Sequence, residues 1–358
     1  MVKQRVTLAD VAREAGLSIS AASMILNGKP ETGLSKDAHE RVFAAAEALR
    51  YRPNVAARGL RTDKTRTIGF ISDEIATTRF AGGLVKGALT AAEKAGHVIL
   101  LLETGGDPAR EAEAVDAVLD RQVDGIIFAS ARSREFYVPD LPATTSVVML
   151  NATNSHHPVS VLPDEYAGGR AAVELLADAG HREGIVLIGQ NDEVERDRFR
   201  SATIAQRVAG IRDAMSERAL AFVSEESIAD WEPEFGFRAV TALLERNPEV
   251  RALLCLNDRL AFGAHQALTE AGLSVPADVS IVSFDNDELA AYLRPGLTTI
   301  ALPHEEMGRR AVELLLAAPA GAAELVPMPV IVRASIAGAR HRGVGTATGK
   351  PRGARPAN

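Results

Sequence analysis

A small all-α head, followed by an α/β body of two similar lobes that are each built on a doubly wound parallel sheet, is the fold class this chain predicts. Three observations predict it. Capped helical stretches bracket Gly16 within the first fifty residues, short apolar strands alternate with amphipathic helices from Thr67 onward, and that alternation restarts after Asp164. At 358 residues the chain exceeds what a single core organises, so two or three units are expected.

The head is read first. Thr7 followed by Asp10 places a hydroxyl and a carboxylate where the unpaired amides and positive dipole end of a starting helix need oxygens. Val11, Ala12 and Ala15 share one face of that helix, and Gly16 stands where the chain must leave it with positive φ. Ser18 can cap a second helix whose buried stripe is Ala22, Ile25 and Leu26. Ser35 caps a third, with Ala38, Val42, Ala45, Ala46 and Leu49 at the helical period. Three short helices then make one small core. Ile19, Ser20, Ser23 and Met24 are left pointing away from it, on the helix that in a helix-turn-helix enters the major groove of double-stranded DNA.

Thr7-Leu8-Ala9-Asp10-Val11-Ala12, Gly16-Leu17-Ser18, Ser23, Asn27, Tyr51-Arg52-Pro53-Asn54 and Ala57-Arg58-Gly59-Leu60 together resemble the lactose-repressor/galactose-repressor (LacI/GalR) family of transcription regulators, and the resemblance runs on to about Ser335. It implies a helix-turn-helix headpiece, a hinge helix and a periplasmic-binding-protein-like core. It also extends the DNA-contacting set to Thr7, Ser18 and Asn27 in the head, and to Asn54, Ala57, Arg58, Leu60 and Arg61 in the hinge. Residues Asn54 to Leu60 are only about two turns long and contain Gly59, so this helix is marginal by itself in water. In the family such a segment folds on the operator beside its symmetry mate and inserts a leucine between base pairs in the minor groove; that wedge maps to Leu60, with Arg61 beside it. Two departures are visible. The turn from Gly28 to Gly33 is longer than the commonest family form, and Ile19 and Met24 are apolar where many relatives carry polar readers, which points to thymine methyl groups.

In the body, strand and helix alternate as Ile68 to Ile71, Gly82 to Ala95, Val98 to Leu102, Glu111 to Arg121 and Gly125 to Phe128. After Asp164 come a helix to Ala179, the strand Ile185 to Ile188, a helix near Val208 to Met215 and units through Ile281 to Phe284. Ligands of open parallel sheets sit outside the carboxyl ends of the strands, and two such edges would face each other across a cleft. The strand-end residues Asp73, Phe80, Asn257 and Asp285, with Trp231, the single tryptophan, on a connection, are therefore the effector candidates. The resemblance adds Arg207 and assigns effector contacts to the positions of Arg207, Trp231, Asn257 and Asp285, in a combination similar to the sugar-responsive members. A carbohydrate is the expected ligand, since planar polar groups pair with vicinal hydroxyls while a ring covers a sugar face. Asp258 is read as the cap of the helix beginning near Arg259, and Phe80 as either cleft or core. Gly189 to Arg207 is longer than usual, with a charged insertion from Glu193 to Arg200. Gly82-Gly83 lack the spaced glycine fingerprint of a dinucleotide site.

The expected boundaries are 1–52 for the headpiece, 53–64 for the hinge and linker, 65–162 with 300–320 for the first lobe, 163–299 with 321–337 for the second, and 338–358 for a disordered basic tail. Crossovers between lobes are expected near Leu162 to Asp164, Leu293 to Thr299 and Ala320 to Pro327.

Charge is distributed unevenly. Residues 1–64 carry a net +4 and residues 338–358 a net +5, so the remainder carries −16 within a total of −7. An acidic body with a basic head directs only one end of the molecule to phosphate. Cys255, the only cysteine, lies in the apolar run Ala252 to Leu256, which excludes a disulfide framework and argues against a catalytic thiol. No nucleophile, metal cluster or acid and base pair is spaced for catalysis, and the adjacent His156 and His157 have no companion at ligand spacing. The expectation is a regulator with no enzymatic activity, no metal and no cofactor. Neither a signal peptide nor an apolar run that could span a bilayer is seen, so a cytoplasmic location is expected. Without leucine heptads in the tail, a homodimer is expected rather than a tetramer. A small-molecule corepressor of purine type is the alternative to an inducing sugar.

Overall fold

The computed structural model describes residues 6–26, 33–51, 64–78, 81–246, 249–317, 321 and 323–337. Its contacts divide the chain into two compact units, one of residues 1–67 with 119–124, the other of 68–118 with 125–358. The expected contacts Asn27, Asn54, Ala57, Arg58, Leu60, Arg61 and Phe80, the hinge and the basic tail lie outside the described residues.

In the first unit, α1 (Leu8–Glu14), α2 (Ile19–Leu26) and α3 (Lys36–Ala48) enclose a core of Val11, Ala12, Ala15, Ala22, Ile25, Ala38, Val42 and Ala45. Each helix start is the one its cap predicts. Thr7 and Asp10 form a reciprocal capping box, the Ser18 Oγ accepts from the Ala21 amide at 3.1 Å, and the Ser35 Oγ accepts from the Ala38 amide at 3.2 Å. Gly16 takes φ +65°, a left-handed exit from α1 that a side chain would strain.

The second unit carries two six-stranded sheets. The first is built from β1 (Thr67–Ser72), β2 (Val98–Glu103), β3 (Gly125–Glu135), β4 (Val147–Thr153), β5 (Ser160–Pro163) and β11 (Glu324–Val326), in the order β11-β5-β4-β3-β1-β2. The second is built from β6 (Ile185–Gln190), β7 (Phe222–Ser227), β8 (Ala252–Cys255), β9 (Ser280–Asp285), β10 (Thr298–Ala301) and β12 (Val330–Ile331), in the order β12-β10-β9-β8-β6-β7. Neighbours pair in parallel register, for example Ile68 with Gly125 and Ile185 with Ala252, while the short edge strand β12 runs antiparallel to β10. Strands buried on both faces read as continuous apolar runs, and Ile68, Phe70, Ile127 and Val148 in one sheet and Val186, Leu253 and Ile281 in the other have no solvent exposure. The helices α4 (Gly82–Lys94), α5 (Pro108–Leu119) and α12 (His304–Leu316) belong with the first sheet. With the second belong α6 (Glu165–Asp178), α8 (Ile204–Glu217), α9 (Pro233–Arg246), α10 (Asp258–Glu270) and the short α7 (Asp192–Arg196) and α11 (Glu288–Tyr292).

The boundaries between lobes differ from expectation in two places. The sequence pattern divides residues 298–299 and 300–301 between the lobes, but all four residues of β10 are buried beside β9 in the second sheet, with Thr298 opposite Val282 and Ile300 opposite Phe284. The expected boundary places all of residues 321–337 in the second lobe, but β11 pairs with β5 in the first sheet, and Arg310 of α12 holds Glu324 at 2.5 and 2.8 Å. The crossovers accordingly fall at Asp164, at Leu302 and Pro303, and at Pro327 to Pro329. Proline suits those places because it has no amide to give to a sheet ladder. The crossovers are tied together, with the Asp164 amide bonded to the Val326 carbonyl at 2.9 Å and the Ala301 amide to the Pro329 carbonyl at 2.8 Å. Among the described residues no helix is long and apolar enough to cross a membrane.

Candidate functional site

Two regions carry the chemistry-bearing residues. On the first unit, burial of Ala21, Ala22 and Ile25 turns the opposite side of α2 outward. Ile19 is 54% exposed and Ser20 is exposed, while Ser23 and Met24 are half-buried. An exposed isoleucine beside exposed serines on a capped helix is the arrangement a groove-reading helix needs. Thr7 and Ser18 serve first as caps. The Thr7 hydroxyl and amide both donate to the Asp10 carboxylate, at 2.7 and 2.9 Å, and these bonds hold the Asp10 carboxyl below its ordinary range. Sequence reasoning missed Arg41, whose guanidinium reaches from α3 to the Ala15 carbonyl at 3.1 Å and closes the end of α1.

On the first sheet, Asp73 follows β1 and is buried, yet every face of its carboxylate is occupied. It accepts from the Glu74 amide at 2.6 Å, the Ala131 amide at 2.9 Å, the Ser130 hydroxyl at 2.6 Å and the Arg134 guanidinium at 3.1 and 3.3 Å. Arg134, on the far end of β3, was not singled out from the sequence. It lies over the Phe136 ring, 5.5 Å from the centroid. Asp73 thus holds the Arg134 side chain in place.

The second sheet brings together Arg207, Trp231, Asn257 and Asp285. Arg207 is 2% exposed, on α8, with its guanidinium 4.4 Å from the Phe284 ring centroid. The Arg207 Nε and Nη2 donate to the two oxygens of Glu165 at 2.6 and 2.8 Å, and Nη1 donates to the Leu256 carbonyl at 2.6 Å. Glu165, the first residue of α6, is the partner of Arg207 that the sequence did not reveal; it stands 42 residues away. The helices that present this pair touch backbone to backbone. A Cβ on Gly169 would strike the Arg207 carbonyl, and one on Gly210 would strike the Tyr166 carbonyl.

Asn257, and not Asp258, caps α10. Its Oδ1 accepts from the Leu260 amide at 2.8 Å, and its Nδ2 donates to the Trp231 carbonyl at 3.1 Å. The expectation for Asp258 fails because the helix starts one residue earlier, which turns that carboxylate inward: it bonds the Ser283 hydroxyl, accepts from the Asp287 amide at 2.7 Å, and is pushed up to about 6 by burial. Trp231 anchors its Nε1 on the Gly189 carbonyl at 2.9 Å, so a ligand would meet the indole ring face rather than its N–H.

Asp285 ends β9 with φ +101°, followed by Asn286 at φ +58°, two consecutive left-handed residues that are not glycine. Its carboxyl is 3.7 Å from the Arg207 guanidinium. Burial, opposed by Arg207 and reinforced by Asp258 and Glu165, raises it to about 8. Two carboxyl groups therefore stand against one guanidinium, and Asp285, without a direct hydrogen bond to it, holds it less closely than Glu165 does. A polar ligand hydroxyl could be met by a neutral carboxyl that both donates and accepts, by a fixed cation and by an aromatic face. Among the described residues no cluster of His, Cys, Asp and Glu is placed to hold a metal ion. Cys255 is buried in β8, and burial pushes its thiol up, away from the reactive thiolate.

Residues 7–54 match the family described as bacterial regulatory proteins, lacI family, and residues 173–336 match the periplasmic binding protein-like domain. The HTH-type transcriptional repressor PurR of Vibrio campbellii is 32% identical over 321 residues, covering 87% of this chain and 91% of that protein. The ribose operon repressor of Haemophilus influenzae is 31% identical over 314 residues, with the same coverage. The crystal structure of the Lac repressor dimer bound to operator and the anti-inducer ONPF superposes with a TM-score of 0.74 at 25% identity, covering 93% of this chain and all of that one.

Proposed function

Because the chain belongs to the LacI family of bacterial regulatory proteins, we propose that it is a homodimeric repressor of transcription that binds a pseudopalindromic operator and is released by a small carbohydrate. The observation that carries the reading is the presence in one chain of a capped α2 with an outward Ile19 and of the group formed by buried Arg207 and Asn257 with half-buried Trp231 and Asp285. On the DNA side the reading uses Thr7, Ser18, Ile19, Ser20, Ser23, Met24 and Asn27 in the major groove and on phosphates. Asn54, Ala57, Arg58, Leu60 and Arg61 would act in the minor groove. On the effector side it uses Asp285 and Arg207 for hydroxyls and the Trp231 face for the ring, with Asn257 and Asp73 fixing Trp231 and Arg134. Phe80 is retained as a lining candidate.

Effector control requires a difference in affinity between two arrangements of the chain. A loss of operator affinity of about 100-fold needs about 2.7 kcal/mol of differential effector binding. The family consists of DNA-binding regulators, and we infer that this chain performs no turnover and acts in the cytoplasm, where its DNA lies.

The test is binding of the purified chain to selected DNA fragments with and without a panel of mono- and disaccharides. Release by one sugar is the expected outcome. Tighter binding with a purine base or other small metabolite would make it a corepressor system. Absence of sequence-specific binding under every condition would overturn the reading. Leu60→Ala is expected to weaken operator binding while sparing sugar binding.

A further inference from the structure

The lengthened connection between β6 and α8 does more than join them. It opens on α7, whose start is capped by Asn191 through bonds from the Glu193 and Val194 amides at 3.1 and 3.2 Å, and it is braced by the Arg200 to Glu193 ion pair at 2.8 Å. It then leaves its own lobe. The Glu135 amide donates to the Arg198 carbonyl at 2.8 Å, and the Ala202 amide donates to the Ser133 carbonyl at 2.8 Å. The Arg198 guanidinium stands 3.5 Å from the Glu135 carboxylate. Ser133 and Glu135 belong to β3 of the first sheet, whereas Arg198 and Ala202 belong to the second lobe. Two backbone bonds and an ion pair therefore join the lobes at a place remote in sequence from all three crossovers.

The same contact hides polar groups that it does not satisfy. The hydroxyls of Ser133 and Thr153 on the first lobe and of Thr203 on the second are buried without a hydrogen-bond partner. Thr153 pairs in register with Glu135, and Thr203 follows Ala202 directly, so all three lie at the contact. Joining the lobes thus gains directed bonds and strands hydroxyls that water would satisfy if the lobes parted. Opposed contributions of this kind are what a two-state element requires.

We propose that residues 191–203 form a strap that latches the second lobe onto β3, and that its opening and closing sets the balance of lobe arrangements through which an effector acts. The strap itself consists of the contacts from Arg198 and Ala202 to β3. Its regulatory consequence rests on the repressor reading above.

The experiment uses the full-length chain with spin labels on Glu113→Cys of α5 and Glu245→Cys of α9, both exposed, diluted with unlabelled chain so that each dimer carries one labelled subunit. Cys255 is buried and does not compete for the label. Ala202→Pro removes one latching amide. Arg198→Glu, at a side chain that is mostly exposed and so leaves folding intact, sets two carboxylates against each other. Both variants are expected to enlarge the population at the longer label separation at least threefold, and adding Glu135→Arg to Arg198→Glu is expected to restore the parent distribution. The Glu135 amide should exchange with solvent at least tenfold faster in Ala202→Pro than in the parent. Operator affinity, measured on the same proteins without effector, should move at least fivefold from the parent value and return with the charge swap.

Unchanged distances in both variants, or unprotected Glu135 and Ala202 amides in the parent, would overturn the strap. Altered distances with unaltered operator affinity would overturn its regulatory role. Failure of the parent to bind any operator would instead count against the repressor reading and leave the distances to judge the strap.

Discussion

Arg207 and Glu165 meet through two parallel bonds of 2.6 and 2.8 Å while their side chains are 2% and 3% exposed. A pair buried this deeply has given up its hydration, so its value lies less in net attraction than in what either partner would cost alone. It also fixes the guanidinium edge that faces Asp285.

Removing the carboxylate should therefore be expensive. Glu165→Ala is expected to destabilise the protein by about 3 kcal/mol, near the lower end for a broken buried pair, because Asp285 and Asp258 can ionise in partial compensation. Urea unfolding followed by circular dichroism measures it. A loss below about 1 kcal/mol would show that the neighbouring carboxylates replace Glu165 outright.

Asp285 makes stability depend on pH in the opposite sense to an ordinary ion-paired aspartate. Its carboxyl is raised from 3.8 to about 8, mainly by burial. Between those values the folded chain binds a proton that the unfolded chain does not, so this contribution is fully present below pH 3.8 and is lost as pH rises through about 8. Asp285→Asn, which mimics the neutral acid, should raise the thermal midpoint more at pH 8.5 than at pH 5. Asparagine also tolerates the positive φ at this position, but that gain is the same at both pH values. Equal shifts at the two would mean that the carboxyl is ionised throughout.

Gly169 allows the approach of α6 and α8 that presents Arg207. Gly169→Ala drives a methyl into the Arg207 carbonyl and is expected to cost about 1–3 kcal/mol through overpacking. Since the helices must part to admit it, effector affinity should fall by about tenfold or more, an amount equivalent to about 1.4 kcal/mol. Calorimetry with the releasing sugar tests this.

Ile19 offers a contact that can be removed from either side. Its exposure means that Ile19→Ala should leave the head folded. Operator binding should weaken by about tenfold. Replacing the contacted thymine by deoxyuridine should produce the same loss with the parent protein and little further loss with the variant. Additive losses would mean that Ile19 does not meet a thymine methyl.

Thr7→Ala should lower the melting temperature of the helical head by roughly 5 °C, since it removes one side of the capping box. The acid limb should change as well. The Asp10 carboxyl is depressed by its bonds from Thr7, so its contribution is present above the ordinary carboxylate value and is lost as pH falls through the lowered one. That acid-induced loss should be shallower in the variant.

Much of this molecule is legible one segment at a time. The caps at Thr7, Ser18 and Ser35 and the turn at Gly16 depend on bonds between residues three or four apart, and each is found where the sequence places it. The strands of both lobes stand out because burial on two faces demands unbroken apolar runs. These local signals, together with the motif resemblance to the LacI/GalR family, were enough to recognise a DNA-reading head and a two-lobed body, and the family matches agree with it.

What the sequence could not decide were the partners. Whether Ile300 or Glu324 joins the first or the second sheet depends on which edge has an unpaired ladder, and no local signal records that. The same is true of Arg207 and Glu165, of Asp73 and Arg134, and of the strap from Arg198 to Glu135. By itself the sequence determined the three capped helices of the head, the apolar strands of the lobes and the residue types at the strand ends. Only the tertiary structure decided which charges face one another, because that choice is made by desolvation and by contacts between segments tens of residues apart, which neither periodicity nor propensity encodes.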